Sequence, residues 1–175
     1  MTTPSLDLRA LIRDIPDFPQ PGIIFKDITP LLRQPGALAE AINQLATAVS
    51  AFEFDLIVSL ESRGFLFAAP LAAKLNKGLI PVRKVGKLPH TTLRIDYTLE
   101  YGVNTLEIHR DAIEPGQRVL IVDDLLATGG TVGGTLQLIE QLGGQVVGTA
   151  CLIELTFLNG RKLLGDHPVV SLITY

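Results

Sequence analysis

The sequence predicts an α/β fold with a parallel sheet core flanked by helices. Two observations carry this. Short, continuous apolar runs of strand length alternate with segments of helical periodicity, as expected for strands buried on both faces. Three of these runs stop abruptly at charged or polar clusters, and one stretch between them switches to a period of two. The 175 residues, 47% hydrophobic and 19% charged, suit one globular domain spanning 1–175.

The elements follow in chain order. Leu8, Leu11, Ile12 and Ile15 fall at helical spacing, with Ser5 as N-cap, so the first element is expected to be a helix. The stretch 16–22 contains Pro16, Pro19, Pro21 and Gly22 and is expected to be irregular; 23–28 reads as extended. Leu38, Ala41, Ile42, Leu45 and Val49 mark an amphipathic helix. The run 56–60 ends at Glu61-Ser62-Arg63-Gly64 and is followed by a helix over 65–75. The run 79–82 ends at Arg83-Lys84, and the run 119–122 ends at Asp123-Asp124. A helix over 131–142 follows, closed by Gly143-Gly144, and then apolar runs at 146–155 and 169–173. Parallel strands place their C-terminal ends on one edge, where ligands bind. Arg63, Arg83, Lys84, Asp123 and Asp124 are therefore expected to converge there.

One region departs from this rhythm. Leu93, Ile95, Tyr97 and Leu99 alternate with Arg94, Asp96 and Thr98, and Leu106 and Ile108 alternate with Glu107 and His109. This pattern around Glu100-Tyr101-Gly102 predicts an antiparallel hairpin inserted between two parallel strands, and an insertion at the ligand edge suits a lid over about 85–109.

Composition excludes several classes. The net charge of -3 lacks the basic excess of a general nucleic-acid binder. The longest uncharged apolar stretch, 64–73, is half the roughly 20 residues a bilayer-spanning helix needs. The N-terminus MTTPSLDLRALIRD has no signal-peptide core, so a cytoplasmic protein is expected. The single cysteine, Cys151, lies within an apolar run and is read as a buried, inert thiol. His90, His109 and His167 show no metal-ligand spacing.

The chemistry concentrates in VLIVDDLLATGGT, 119–131. A strand, a Gly- and Thr-rich loop and a helix start follow in order, and backbone N–H groups there favour a phosphate. The spacing matches neither a Walker loop nor a dinucleotide fingerprint. A carboxylate pair beside a phosphate must address something else, such as ribose hydroxyls or a Mg²⁺-bound ligand. Arg83, Lys84 and Lys87 form a second cluster that suits a diphosphate. Gly133 and Gly134 each cost about 1 kcal/mol relative to alanine in a helix interior. Phe25 by itself reads as an ordinary core aromatic.

These segments resemble the type I phosphoribosyltransferases. The 119–131 segment is similar to that family's phosphoribosyl diphosphate loop. FKDITPLL, ESRGFLFAAPLA, PVRKVGKLP, LEYG and LEIHRDAI stand in the family's order, with RKVGKLP and LEYG pointing to its adenine branch. The resemblance implies a small N-terminal hood, mainly 1–34, and joining of adenine to 5-phosphoribosyl 1-diphosphate (PRPP) to give AMP and pyrophosphate in purine salvage. It implies Mg²⁺, held mainly by PRPP and not directly by the protein, and a homodimer; the mean hydropathy of +0.35 agrees with a buried subunit interface.

Carried over residue by residue, Asp123 and Asp124 hold the ribose hydroxyls, and Ala127, Thr128, Gly129, Gly130 and Thr131 cradle the 5-phosphate. Arg63, Arg83, Lys84 and Lys87 lie on the pyrophosphate side. Phe25 packs on adenine, with backbone groups near Ile24 and Lys26 reading its edge, and Glu100 handles a proton near the base. Lys26 stands where the family often has Arg. Three rival functions share the PRPP loop: transfer to another nucleobase, a PRPP-binding regulator without catalysis, and a PRPP-making diphosphokinase, for which the chain is short.

Overall fold

The computed structural model describes residues 6–99 and 102–175. The described residues up to Gln44 form one compact unit, and Leu45–Tyr175 form a second.

The first unit departs from the sequence expectation at its start. Instead of a helix over residues 8–15, a single 3-10 turn, Arg9–Leu11, leads into strand β1, Arg13–Pro16. Asp7 Oδ1 accepts from the N–H groups of Arg9 and Ala10 at 3.0 and 3.3 Å, so Asp7 supplies the polar start; Ser5 lies outside the described residues. The physical reason is twofold. Pro16 and Pro19 remove donors and push the preceding residues out of the helical region. Partners for an extended segment are also at hand, because β1 pairs antiparallel with β2, Ile24–Asp27. Arg13 faces Asp27 and Asp14 faces Lys26 across the ladder, and both pairs are ionic. The intervening segment turns as expected, with Gly22 at φ +87° donating to Asp17 Oδ1 at 2.8 Å. Helix α1, Thr29–Arg33, follows, and helix α2, Ala37–Ala48, spans the division between the units.

The second unit is built on one seven-stranded sheet. Its strands are β3 (Leu56–Leu60), β4 (Gly78–Lys84), β5 (Thr92–Leu99), β6 (Gly102–His109), β7 (Arg118–Leu126), β8 (Gln145–Glu154) and β9 (Val169–Thr174). Their order is β5-β6-β4-β3-β7-β8-β9. Strands β4, β3, β7, β8 and β9 run parallel, and the β5–β6 hairpin adds antiparallel to the β4 edge. Every residue of β3 is buried, as expected for a strand covered on both faces.

Helix α3, Phe65–Leu75, begins directly after the Glu61-Ser62-Arg63-Gly64 cluster and ends at Asn76 in the left-handed region. Helix α4, Gly130–Gln141, follows β7. A 3-10 turn, Thr156–Leu158, and a short helix α5, Gly160–Leu164, lie between β8 and β9 and are additions to the sequence expectation. The core gathers residues from all layers, including Val58, Ile121, Cys151, Leu106, Leu138 and Leu164.

Candidate active site

The site grows from the carboxyl ends of adjacent parallel strands. Strand β3 pairs with β4 on one side and β7 on the other, so the residues after Leu60, those at the end of β4 and those late in β7 meet at one edge. They enclose a cleft of about 420 Å³ lined by Glu61, Ser62, Arg63, Lys84, Asp123, Asp124, Ala127 and Thr131, among others. A smaller recess of about 60 Å³ shares Asp123, Ala127 and Thr131 and is walled by the loop and the first turn of α4.

The acidic pair does not sit in a turn after the strand. Strand β7 continues through Leu126, because β8 runs beside it as far as Glu154, and Asp123 is level with Cys151 in that ladder. Both acids therefore stand on rigid backbone. Asp123 Oδ1 accepts from the Asp124 N–H at 2.8 Å, and Asp124 Oδ2 lies 2.8 Å from Arg63 Nε. Burial raises the pKa of Asp123 well above the ordinary carboxylate value, and the neighbouring charge of Asp124 adds to it. Burial likewise raises that of Asp124, against the pull of Arg63. Hydroxyl donors or a cation would supply the solvation that burial takes from these carboxyls.

Beneath them, Ser59 is fully buried and its hydroxyl donates to the Val122 carbonyl at 2.7 Å, tying β3 to β7 under the cleft. Gly64 admits no side chain: a Cβ there would stand 2.6 Å from Asp123 Oδ1 and 2.9 Å from the Leu60 carbonyl oxygen.

On the glycine-rich side, Gly129 takes φ +87° and precedes α4, whose first residue is Gly130. The positive φ suits glycine and directs the chain from strand into helix, leaving N–H groups at the helix start. Gly134 faces Tyr97 and Leu106 of the hairpin, with 3.5 Å from a built Cβ to each side chain, and Gly133 faces Leu163. The two glycines thus bring the hairpin and α5 close to α4.

The predicted cations divide. Arg63 and Lys84 line the cleft. Arg83 is engaged by Glu61, its Nε and Nη2 donating to the two carboxylate oxygens at 3.1 and 3.2 Å, and Glu61 also accepts from the Lys84 N–H. The Arg83 hydrogen bond holds the Glu61 carboxyl below its usual range, although burial opposes it. The backbone of Lys87 donates to Glu107 Oε1 at 2.9 Å in the turn between β4 and β5.

Glu107 alternates with apolar Leu106 and Ile108 along β6, yet it is fully buried. It accepts from the N–H groups of Lys87 and Leu88 and from Arg94 Nε, which orders the basic turn. Burial alone would raise its pKa, but these donors hold it below the ordinary value. Glu61, Ser59 and Glu107 were not singled out from the sequence. Their signal is weak, since each matters through a partner far along the chain.

In the first unit, Phe25 is half-buried and meets Phe18 edge-to-face at 5.2 Å, and Ile24 is exposed. The Lys26 ammonium pairs with Asp14 Oδ1 at 2.7 Å, which gives this lysine a role as a cross-strand partner. Glu100 and Tyr101 lie outside the described residues. Cys151 is buried, and its thiol pKa is raised by that burial. Among the described residues no helix is long and apolar enough to cross a membrane.

A family model described as a phosphoribosyl transferase domain matches residues 26–172. The adenine phosphoribosyltransferase of Kosmotoga olearia is 55% identical over 170 residues, covering 97% of this chain and 100% of that one. The crystal structure of adenine phosphoribosyltransferase from Thermoanaerobacter pseudethanolicus superposes with a TM-score of 0.94 at 55% identity, covering 96% and 98% of the two chains. That of Saccharomyces cerevisiae, complexed with an imino-altritol bisphosphate and adenine, gives 0.88 at 41% identity, covering 94% and 96%. The chain is thus a transferase built on the phosphoribosyl transferase domain, and within that family it belongs to the adenine phosphoribosyltransferases.

Proposed function

We propose that this chain transfers the 5-phosphoribosyl group of PRPP to adenine, releasing AMP and pyrophosphate. The observation that carries the reading is a cleft at the parallel-strand edge that joins an acidic pair, two cations and the Ala127 and Thr131 that flank the glycine-rich helix start. In this reading Asp123 and Asp124 hold the ribose hydroxyls, and Ala127, Thr128, Gly129, Gly130 and Thr131 receive the 5-phosphate. Arg63 and Lys84 meet the diphosphate, with Arg83 and Lys87 on the same side. Phe25 packs on adenine, and the backbone at Ile24 and Lys26 reads its edge.

The reaction forms a bond from adenine nitrogen to the anomeric carbon. The carbon–oxygen bond to diphosphate breaks, and pyrophosphate keeps the electron pair. The ring becomes electron-poor as this happens, while negative charge grows on the leaving group, where fixed cations stabilise it. The attacking nitrogen must lose its proton, and Glu100, between β5 and β6 in the chain, takes it. The β5–β6 hairpin acts as the lid that excludes water, the competing nucleophile. Glu100→Gln should then lower turnover by about 10²–10⁴-fold while PRPP still binds. Unchanged turnover with chemistry rate-limiting would remove Glu100 from the mechanism.

Oxygen-rich surroundings suit Mg²⁺ carried in by the diphosphate, since Asp123 and Asp124 line the cleft. When bound, Mg²⁺ would neutralise charge on the leaving pyrophosphate. A homodimer is supported by the mean hydropathy of +0.35.

The test offers adenine, hypoxanthine, guanine and orotate separately, with PRPP and Mg²⁺, and measures pyrophosphate release and nucleotide formation. Turnover with adenine alone is expected. Turnover with another base instead would retain the PRPP loop and reject the adenine contacts. PRPP binding without turnover of any base would favour a regulator.

A further inference from the structure

We propose that Gly160, the first residue of α5, is a positioning residue for the 5-phosphate loop. The inference rests on the reading of 127–131 as the phosphate site. Gly160 and the loop touch backbone to backbone. A Cβ built on Gly160 would overlap the Ala127 carbonyl oxygen and stand 3.1 Å from the Gly129 nitrogen. A Cβ built on Gly129 would stand 2.5 Å from the Gly160 carbonyl oxygen and 3.2 Å from its carbon. Each glycine therefore excludes a side chain from the other. The obstructing atoms are main chain, so no rotamer change relieves the contact.

Such a contact can set the loop only if α5 is itself held, and it is. Arg161 Nε and Nη2 donate to the two carboxylate oxygens of Glu154 at 2.6 and 2.7 Å, and Nη1 donates to the Val169 carbonyl at 2.9 Å. Glu154 is buried at the end of β8 and accepts a further bond from the Ser171 hydroxyl at 2.7 Å. At the other end of α5, Leu164 is buried in the sheet core. Upstream of α5 and its preceding 3-10 turn, the Leu155 N–H donates to the Leu126 carbonyl, one residue before the loop.

The start of α5 is thus a brace footed on β8 and β9, with its head against Ala127 and Gly129. Phosphate recognition by backbone N–H groups depends on their common aim, because the donors cannot adjust as long side chains do. The brace holds that aim before PRPP arrives. The carboxylates that address the ribose stand on β7 and need no such support.

The experiment compares full-length Gly160→Ala and Arg161→Lys with Thr131→Val, which alters the phosphate loop directly. The readouts are KM for PRPP and for adenine, kcat, inhibition by AMP and by pyrophosphate, and the thermal midpoint. Gly160→Ala should raise KM for PRPP and the inhibition constant for AMP about tenfold, or about 1.4 kcal/mol. The inhibition constant for pyrophosphate and KM for adenine should stay within about twofold, and kcat at saturating PRPP should be retained. Arg161→Lys keeps the charge but loses the two-pronged geometry, so it should move the same constants in the same direction, by less.

Thr131→Val separates the two levels of the argument. If it leaves PRPP and AMP binding unchanged, the reading of the loop fails and the brace with it. If it weakens both while Gly160→Ala does not, the brace alone fails. Equal weakening of all four ligands with a lowered thermal midpoint would assign Gly160 a purely structural role and overturn the proposal. Should Gly160→Ala fail to fold, the selectivity of Arg161→Lys for PRPP and AMP over pyrophosphate decides in its place.

Discussion

Arg63 Nε lies 2.8 Å from Asp124 Oδ2, linking the segment after one parallel strand to the end of its neighbour. The Asp124 side chain is 7% exposed and that of Arg63 34%, so the arginine bridges buried carboxylate and open cleft. Removing the guanidinium leaves a buried acid short of a partner. Arg63→Leu should cost about 1–3 kcal/mol in urea unfolding. The same change in an Asp124→Asn background should cost clearly less, since the stranded charge is gone. Equal costs in both backgrounds would mean that the pair is not coupled.

Asp123 gives a prediction with a definite sign. Its folded-state pKa is raised well above 3.8, first by burial and then by Asp124. Between 3.8 and that raised value the native protein binds more protons than the unfolded chain, so this group's contribution to stability falls as pH rises. Asp123→Asn removes the penalty and can still accept from the Asp124 N–H. At about pH 7 the variant should melt above the parent, and the gap should close as pH falls toward the unfolded carboxylate value. Turnover should drop at the same time, because the ribose hydroxyls lose a charged acceptor. A variant that melts below the parent at neutral pH would contradict the burial argument.

Gly64 is limited by space, not by backbone conformation, since its φ of -55° suits any residue. A Cβ there would meet Asp123 Oδ1, the Leu60 carbonyl and Ser59 Oγ, all at 2.9 Å or less. Gly64→Ala should displace Asp123 and lower kcat/KM for PRPP by at least about tenfold, or about 1.4 kcal/mol, with circular dichroism little changed. Parental kcat/KM would show that the carboxylate can shift without loss.

Gly134 behaves differently. A Cβ there makes ordinary contacts of 3.5 Å with Leu106 and Tyr97. Gly134→Ala should therefore be tolerated and stabilise α4 by up to about 1 kcal/mol through helix propensity. Gly134→Leu should instead press the hairpin away and destabilise by about 1–3 kcal/mol through overpacking. Chemical denaturation of both variants distinguishes them, and a stabilising leucine would indicate a looser contact than the structure has.

The sequence by itself determined the alternation of buried strands and helices, the hairpin, and the edge at which Arg63, Lys84, Asp123 and Asp124 meet. Those features depend on local periodicity and on the general rule that parallel strands share one carboxyl edge, both of which survive in a linear pattern. The N-terminal segment was not legible in this way. Leu8, Leu11, Ile12 and Ile15 keep helical spacing, but the cross-strand partners Lys26 and Asp27 and the downstream prolines favour the extended form.

Only the tertiary structure decided which charges are already spoken for. Arg83 binds Glu61, Lys26 binds Asp14, and Glu107, on the nominally polar side of its strand, is buried to hold the basic turn. It also brought Gly160 against Ala127 and Gly129. An ion pair or a steric limit belongs to two residues at once. Its energy depends on their distance in space, so it is set only when the chain has folded and brought the second residue into reach.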